Sequence, residues 1–306
     1  MGKIYRFFLF VFVLIQAITT NAQVKYAVEG RYKKLAAQGM AIFGDNAYIL
    51  NNTGYCRVYD LIKKKVIGEY SLQCQEENNH ANCATFGCET GGDNDYPLLY
   101  ISQCRRPTYY CYVESVSPEG SQLLQKITTD CKGENGMAHD WLVDTKKKVL
   151  YSVTTVKVLD ENSGLRRFHF VKFRLPKISE GEEVVLSDDD ILDDFYCEYP
   201  NILQGGTIKG KYMYLPMGDS KTGKYAYLGK TLVVINLKKK RIEKTMTLDN
   251  LIEDEPEDCA FYKDSLYIFC GQNGGIHEIP LIKNLWDNVV RTVADVISNT
   301  LNERVE

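Results

Sequence analysis

From about residue 24 to residue 280, short apolar stretches alternate with polar breaks rich in Gly, Asp, Asn and Lys. Stretches of this length, dense in Val, Ile, Tyr and Phe and bounded by turn residues, predict β-strands. Met40 to Phe43, a Gly/Asp/Asn break and Ala47 to Leu50 read as the first strand pair. Val58-Tyr59-Asp60-Leu61 runs into Lys63–Lys65, and Val234-Ile235-Asn236-Leu237 runs into Lys238–Lys240. Each lysine cluster, like Lys146–Lys148, falls between two apolar stretches, where a hairpin turns in solvent.

The pattern is copied. Gln38-Gly39-x-x-Ile42-x-Gly44-x-x-x-Tyr48 returns as Gln204-Gly205-x-x-Ile208-x-Gly210-x-x-x-Tyr214. A third copy keeps the frame with other letters, from Glu257 through Phe261 to Tyr267, and looser copies start at His80 and His139. Five starts spaced by roughly 40 to 65 residues each leave room for one four-stranded sheet, the unit of a β-propeller. The expected fold is therefore all-β, a propeller of five four-stranded blades over residues 23–280. Its last unit is one strand short after Leu266 to Cys270 and Gly275 to Ile279. The strand-like run Val24 to Lys33 is expected to supply the missing outer strand, closing the ring and removing an exposed sheet edge.

Both ends of the chain break the pattern. Residues 1–22 carry Lys3 and Arg6, an apolar run from Phe7 to Ile18, and small residues at Thr20 and Ala22, the layout of a cleaved secretory signal. A membrane anchor is the alternative, but the run falls short of the roughly 20 residues a spanning helix needs. Over residues 281–306, Ile282, Leu285, Trp286, Val289, Val290, Val293, Val296, Ile297 and Leu301 recur at helical spacing. They predict an amphipathic helix packed on the propeller.

Composition narrows the class. The formal net charge is −3, and removing Lys3 and Arg6 makes the chain more acidic, so it lacks the basic footprint that nucleic acid or an anionic membrane surface requires. Ten cysteines in an exported chain suggest disulfides, with Cys104–Cys111 and Cys259–Cys270 as locally plausible pairs. No Cys-x-x-Cys spacing supports a structural zinc site.

Propellers gather the innermost strand of every blade around an axis. The five aligned starting residues, Gln38, His80, His139, Gln204 and Glu257, should therefore converge although they lie far apart in sequence. All can hydrogen-bond, which makes them a candidate ligand-binding ring, with a water-filled structural channel as the plainer reading. His80, His139 and Glu257 are the residues that could hold a metal, without any local motif in support. Glu255, Glu257 and Asp258, with Asp140 beside His139, are the carboxylates that could serve as acid and base in glycoside hydrolysis. Acidic residues also cap turns and line solvated rims. The run Ser187-Asp188-Asp189-Asp190 with Asp193-Asp194 lacks the glycine and distal glutamate of an EF-hand loop. No phosphate loop and no serine nucleophile elbow is present, and no motif names a cofactor.

The Gln-Gly openings at Gln38 and Gln204, with Glu255-Pro256-Glu257 before Phe261 and Leu266-Tyr267-Ile268, resemble repeats of secreted bacterial β-propellers. The resemblance covers most of residues 24–280. It implies an architecture whose members bind sugars, peptides or metals, while others hydrolyse glycans. This chain departs from commoner patterns in having neither Trp-Asp repeat ends nor an Asp-box, so no catalytic set carries over. The expectation is a secreted or periplasmic monomer that binds a small molecule, a glycan or a cell-surface polymer at its channel mouth. A glycoside hydrolase and a protein-interaction scaffold are the alternatives.

Overall fold

The computed structural model describes residues 25–26, 37–74, 80–91, 94–105, 109–137, 139–271, 275–279 and 281. The signal-like segment 1–22 and the helical pattern of 282–306 lie outside the described residues. Among those described, helix is confined to short 3-10 turns, and no helix is long and apolar enough to cross a membrane.

Five small sheets are arranged as a five-bladed β-propeller. The first blade is the meander β2 (Ala37–Phe43), β3 (Asn46–Asn51), β4 (Tyr55–Asp60) and β5 (Lys65–Ser71). The second runs β6 (Ala81–Thr90), β7 (Pro97–Gln103), β8 (Tyr110–Ser117) and β9 (Gly120–Thr129). The third consists of β10 (Asp140–Asp144), β11 (Val149–Asp160), β12 (Leu165–Arg174) and β14 (Ile191–Pro200). The fourth is β15 (Thr207–Lys209), β16 (Tyr212–Met217), β17 (Thr231–Asn236) and β18 (Arg241–Thr247). The fifth combines β19 (Pro256–Tyr262), β20 (Ser265–Cys270) and β21 (Gly275–Ile279) with β1 (Lys25–Tyr26), which pairs antiparallel with Ile276 and His277. Lys25 and Tyr26 thus occupy the outer-strand place that the short last repeat left open; the rest of Val24–Lys33 lies outside the described residues.

Middle strands read as nearly continuous apolar runs because each is sandwiched between two neighbouring blades. On β3, Ala47 and Ile49 join Tyr267 and Phe269 of the fifth blade, whereas Tyr48 and Leu50 join Leu99 and Ile101 of the second. On β7 the same alternation sends Leu98 and Tyr100 towards Trp141 and Phe173 of the third blade. Further clusters fill the third-to-fourth and fourth-to-fifth interfaces, so five cores, one per interface, close the circle. Outer strands differ. β5 and β18 alternate exposed and half-buried positions, as strands with one solvated face do.

The lysine clusters are turns, as their placement suggests. Lys64, Lys148 and Lys240 sit at φ of 53°, 55° and 54°, in the left-handed region. Asp60 accepts hydrogen bonds from the amides of Ile62 and Lys63, Asp144 from that of Lys147, and Asn236 from those of Lys238 and Lys239. One side-chain-to-backbone device therefore shapes the outer hairpin of the first and fourth blades and the inner hairpin, β10 to β11, of the third.

Two expectations need correction. The second blade has five strands, because β13 (Glu183–Leu186), part of the connection between β12 and β14, crosses over and pairs parallel with β9. It buries Val184 and Leu186 and covers an open edge, which also accounts for the long interval between the His139 and Gln204 repeats. Nor are there disulfides: the cysteines are thiols. Cys259 stands opposite Ile268 and Cys270 opposite Pro256, so the two are diagonal neighbours on the sheet. Diagonal neighbours lie about 7–8 Å apart, their Cβ atoms somewhat less, which exceeds the roughly 4.5 Å that a disulfide spans between Cβ atoms. Cys104 lines the axial cavity, whereas Cys111 packs into the core between the second and third blades.

Candidate functional site

The innermost strands β2, β6, β10, β15 and β19 pack against one another around the axis. Their packing explains the repeated Gln-Gly. A Cβ on Gly39 would lie 2.9 Å from the carbonyl oxygen of Ala81, and one on Gly205 would lie 2.3 Å from Oδ1 of Asp258. In the repeat alignment Asp258 holds the place of those two glycines. One copy fills the axis with a carboxylate, and another leaves the room it needs.

Asp258 is fully buried and turns away from solvent. Its Oδ2 accepts from the backbone N–H of Met40 at 2.8 Å and of Ala84 at 2.9 Å, and its Oδ1 from that of Cys259 at 2.8 Å. One side chain on the fifth blade thereby ties the inner strands of the first and second. Burial pushes its pKa well up, against the pull of the three amides. It is not among the cavity-lining residues, so of the four proposed carboxylates it is a fastener of the ring rather than a group presented to a ligand. Gly205→Ala is expected to cost roughly 1–3 kcal/mol through the forced displacement of this carboxylate. Urea unfolding checks it, with Gly120→Ala, whose added carbon meets nothing within 4 Å, as the neutral comparison.

Where the inner strands begin, the axis opens into a cavity of about 560 Å³. Gln38, His80, His139, Gln204 and Glu257, one from each blade, all line it. The local cause is visible in the ladders: registers slip between Ala37 and Met40, between Ala81 and Ala84, and between Pro256 and Asp258. Each bulge re-aims a side chain that a regular strand would hold elsewhere. Asp140 and Glu255 line the cavity as well.

The polar groups fall into distinct states. His80 Nδ1 lies 2.5 Å from Asn52 Oδ1, which accepts its proton and leaves Nε2 with a lone pair; burial holds the ring's pKa down at about 4, so it is neutral at pH 7. His139 Nε2 is 2.9 Å from the Tyr109 hydroxyl. Gln204 Nε2 donates to the Gly218 carbonyl at 3.0 Å and to Glu255 Oε1 at 2.9 Å. Burial raises the Glu255 carboxyl, and it raises that of Glu257 well above its ordinary value, with Glu255 and Asp258 adding repulsion. Asp140, 2% exposed, accepts from Asn82 Nδ2 at 2.7 Å, yet burial pushes it up to about 7. Among the described residues no cluster of three or more His, Cys, Asp and Glu side chains could hold a metal ion, so His80, His139 and Glu257 share the cavity without forming a metal centre.

Sequence reasoning missed Arg166, which also lines the cavity. Its guanidinium lies over the Tyr225 ring at 4.2 Å and donates through Nη1 to the carbonyls of Gly164 at 2.8 Å and Asn201 at 3.3 Å. Nothing in the Arg166-Arg167 pair separates it from a solvated strand position; Arg167 is one, pairing with Glu198 at 2.7 Å. The acidic run after Ser187 is absorbed by partners elsewhere: Asp190 by Arg174, Asp193 by Lys240 at 2.5 Å, and Asp194 by His169 at 3.0 Å. The sequence matches no protein-family model and no curated protein.

Proposed function

We propose that the protein is an exported, monomeric ligand-binding β-propeller that holds the end of a glycan or cell-surface polymer in its axial cavity without turning it over. One observation carries this reading: five hydrogen-bonding side chains from five blades face one cavity whose volume suits a small ligand. Neutral His80, the amides of Gln38 and Gln204, and the Glu257 carboxyl offer donors and acceptors of the kind that hydroxyl-rich molecules engage. Export rests on the leader pattern alone, since no disulfide accompanies it.

A second reading, a glycoside hydrolase, draws support from Asp140. A carboxyl held at about 7 is in the range of a general acid, and Glu255 and Glu257 lie in the same cavity as possible partners. Binding on a glycan array, run beside a hydrolysis assay on the same glycans, separates the two. Retention without product release is the expected result. Turnover that Glu257→Gln abolishes would replace binding with catalysis. Failure to retain any glycan, together with a protein recovered by pull-down, would favour an interaction scaffold.

A further inference from the structure

The cavity is oversupplied with acceptors. Gln38 is only 5% exposed, and its Oε1 is buried without a hydrogen-bond partner. Such a buried amide oxygen is costly unless something else completes it. Glu257 is equally buried, and its carboxyl has no hydrogen bond from a described residue; only its backbone carbonyl is served, by the Gly205 N–H at 2.7 Å. His80 presents a lone pair on Nε2, because Asn52 takes the proton on Nδ1. Three donors nearby are already committed: Gln204 Nε2 to Gly218 and Glu255, Asn82 Nδ2 to Asp140, and Arg166 Nη1 to two carbonyls. Three carboxyls, Asp140, Glu255 and Glu257, line the cavity with the guanidinium of Arg166; burial disfavours their ionised forms, which a cationic ligand would restore.

A ligand hydroxyl brings one donor and lone pairs of its own, and no charge to stabilise an ionised carboxyl. An ammonium group brings three N–H donors, no acceptor and a positive charge. Its charge draws a buried carboxyl into the ionised form, and its N–H groups suit both that carboxylate and an amide oxygen through charge-assisted hydrogen bonds, which are the stronger kind. We infer that the axial cavity takes a ligand bearing a protonated primary amine, seated against the Glu257 carboxylate and Gln38 Oε1. This rests on the glycan-binding reading above and narrows it to amino sugars whose nitrogen is not acetylated.

Three β-1,4-linked oligosaccharides of equal length, differing only at C2, test this by isothermal titration calorimetry on the full chain. They are a chitosan oligomer with a free amine, a chitin oligomer with an acetamide and a cello-oligomer with a hydroxyl. Spermidine serves as an amine without a sugar. The chitosan oligomer is expected to bind at least about tenfold more tightly than the other two, the difference one charge-assisted hydrogen bond makes. Glu257→Gln, an isosteric change that removes the ionisable group, should abolish that preference. Gln38→Met, which keeps the side-chain volume and removes the amide, should weaken it.

Equal or tighter binding of the acetylated or hydroxyl oligomer would overturn the amine and leave the glycan reading standing. A chitosan preference untouched by both variants would place the binding on the acidic surface and overturn the inference. Glu257-dependent binding of spermidine with no binding of any sugar would support the amine while sinking the glycan reading. No binding of any probe would overturn both.

Discussion

Replacing Asp258 with alanine is expected to cost the fold about 4 kcal/mol, as three buried backbone donors lose the carboxylate that accepts from them. Those donors belong to Met40, Ala84 and Cys259, on the inner strands of three successive blades, where no water competes for them. Truncation therefore removes three buried hydrogen bonds and leaves a void at the axis, beside Gly205, which already has no side chain to fill it. Asp258→Asn should cost clearly less, because one oxygen still serves Met40 and Ala84 while the new amide faces the Cys259 N–H donor to donor. Urea midpoints of the two variants against the parent measure this. If alanine and asparagine proved equally mild, the clasp would be an accident of packing rather than the fastener of the ring.

The pH dependence of stability should change most at Asp140. Its native pKa of about 7 lies above the ordinary value of 3.8, because burial outweighs the hydrogen bond from Asn82. Between those values the folded state keeps a proton that the unfolded state has released, so stability falls as pH rises. The slope approaches roughly 1.4 kcal/mol per pH unit and sums to the order of 4 kcal/mol. The raised carboxyls of Glu255, Glu257 and Asp258 act with the same sign. His80 acts oppositely: its pKa is lowered from 6.5 to about 4, so its contribution grows as pH rises through that interval. Paired surface acids such as Asp190 and Glu180, whose pKa values are lowered, lose their contribution only as the solution becomes strongly acidic. Asp140→Asn keeps an acceptor for Asn82 and removes the titration. The variant should match the parent near pH 4 and exceed it by a few kcal/mol above pH 7, read as the difference between two thermal-melting series. A constant difference across that range would show that Asp140 does not titrate as its burial implies.

The architecture was legible because each blade solves the same packing problem and therefore repeats the same residues. Tyr48 and Tyr214 recur because the second strand of each blade packs against a neighbouring blade, and the lysine turns recur because one Asx-anchored hairpin is reused. The cavity ring was legible for the same reason: an aligned starting position on every inner strand must approach the axis. Arg166 could not be read this way, since it reaches the cavity from the third strand of its blade and is held there by Tyr225, a residue of the fourth blade's long loop. Asp258 was misread as a presented carboxylate because its neighbours Glu255 and Glu257 do line the cavity, while a register slip beside it turns it into the core. The cysteine pairs failed because sequence proximity fixes neither register nor direction: Cys259 and Cys270 stand diagonal, while Cys104 lines the cavity and Cys111 packs into a core.

Local pattern and repetition thus determined the strand content, the number of blades and the five residues that meet at the axis, since periodicity and turn chemistry act over a few residues and every copy restates them. Tertiary structure alone decided which acids face the cavity and which fasten the ring, that β13 crosses to a neighbouring blade, and that the thiols stay apart. Those outcomes depend on bulges, registers and burial, which are set by distances of a few ångströms between residues that the chain keeps far apart.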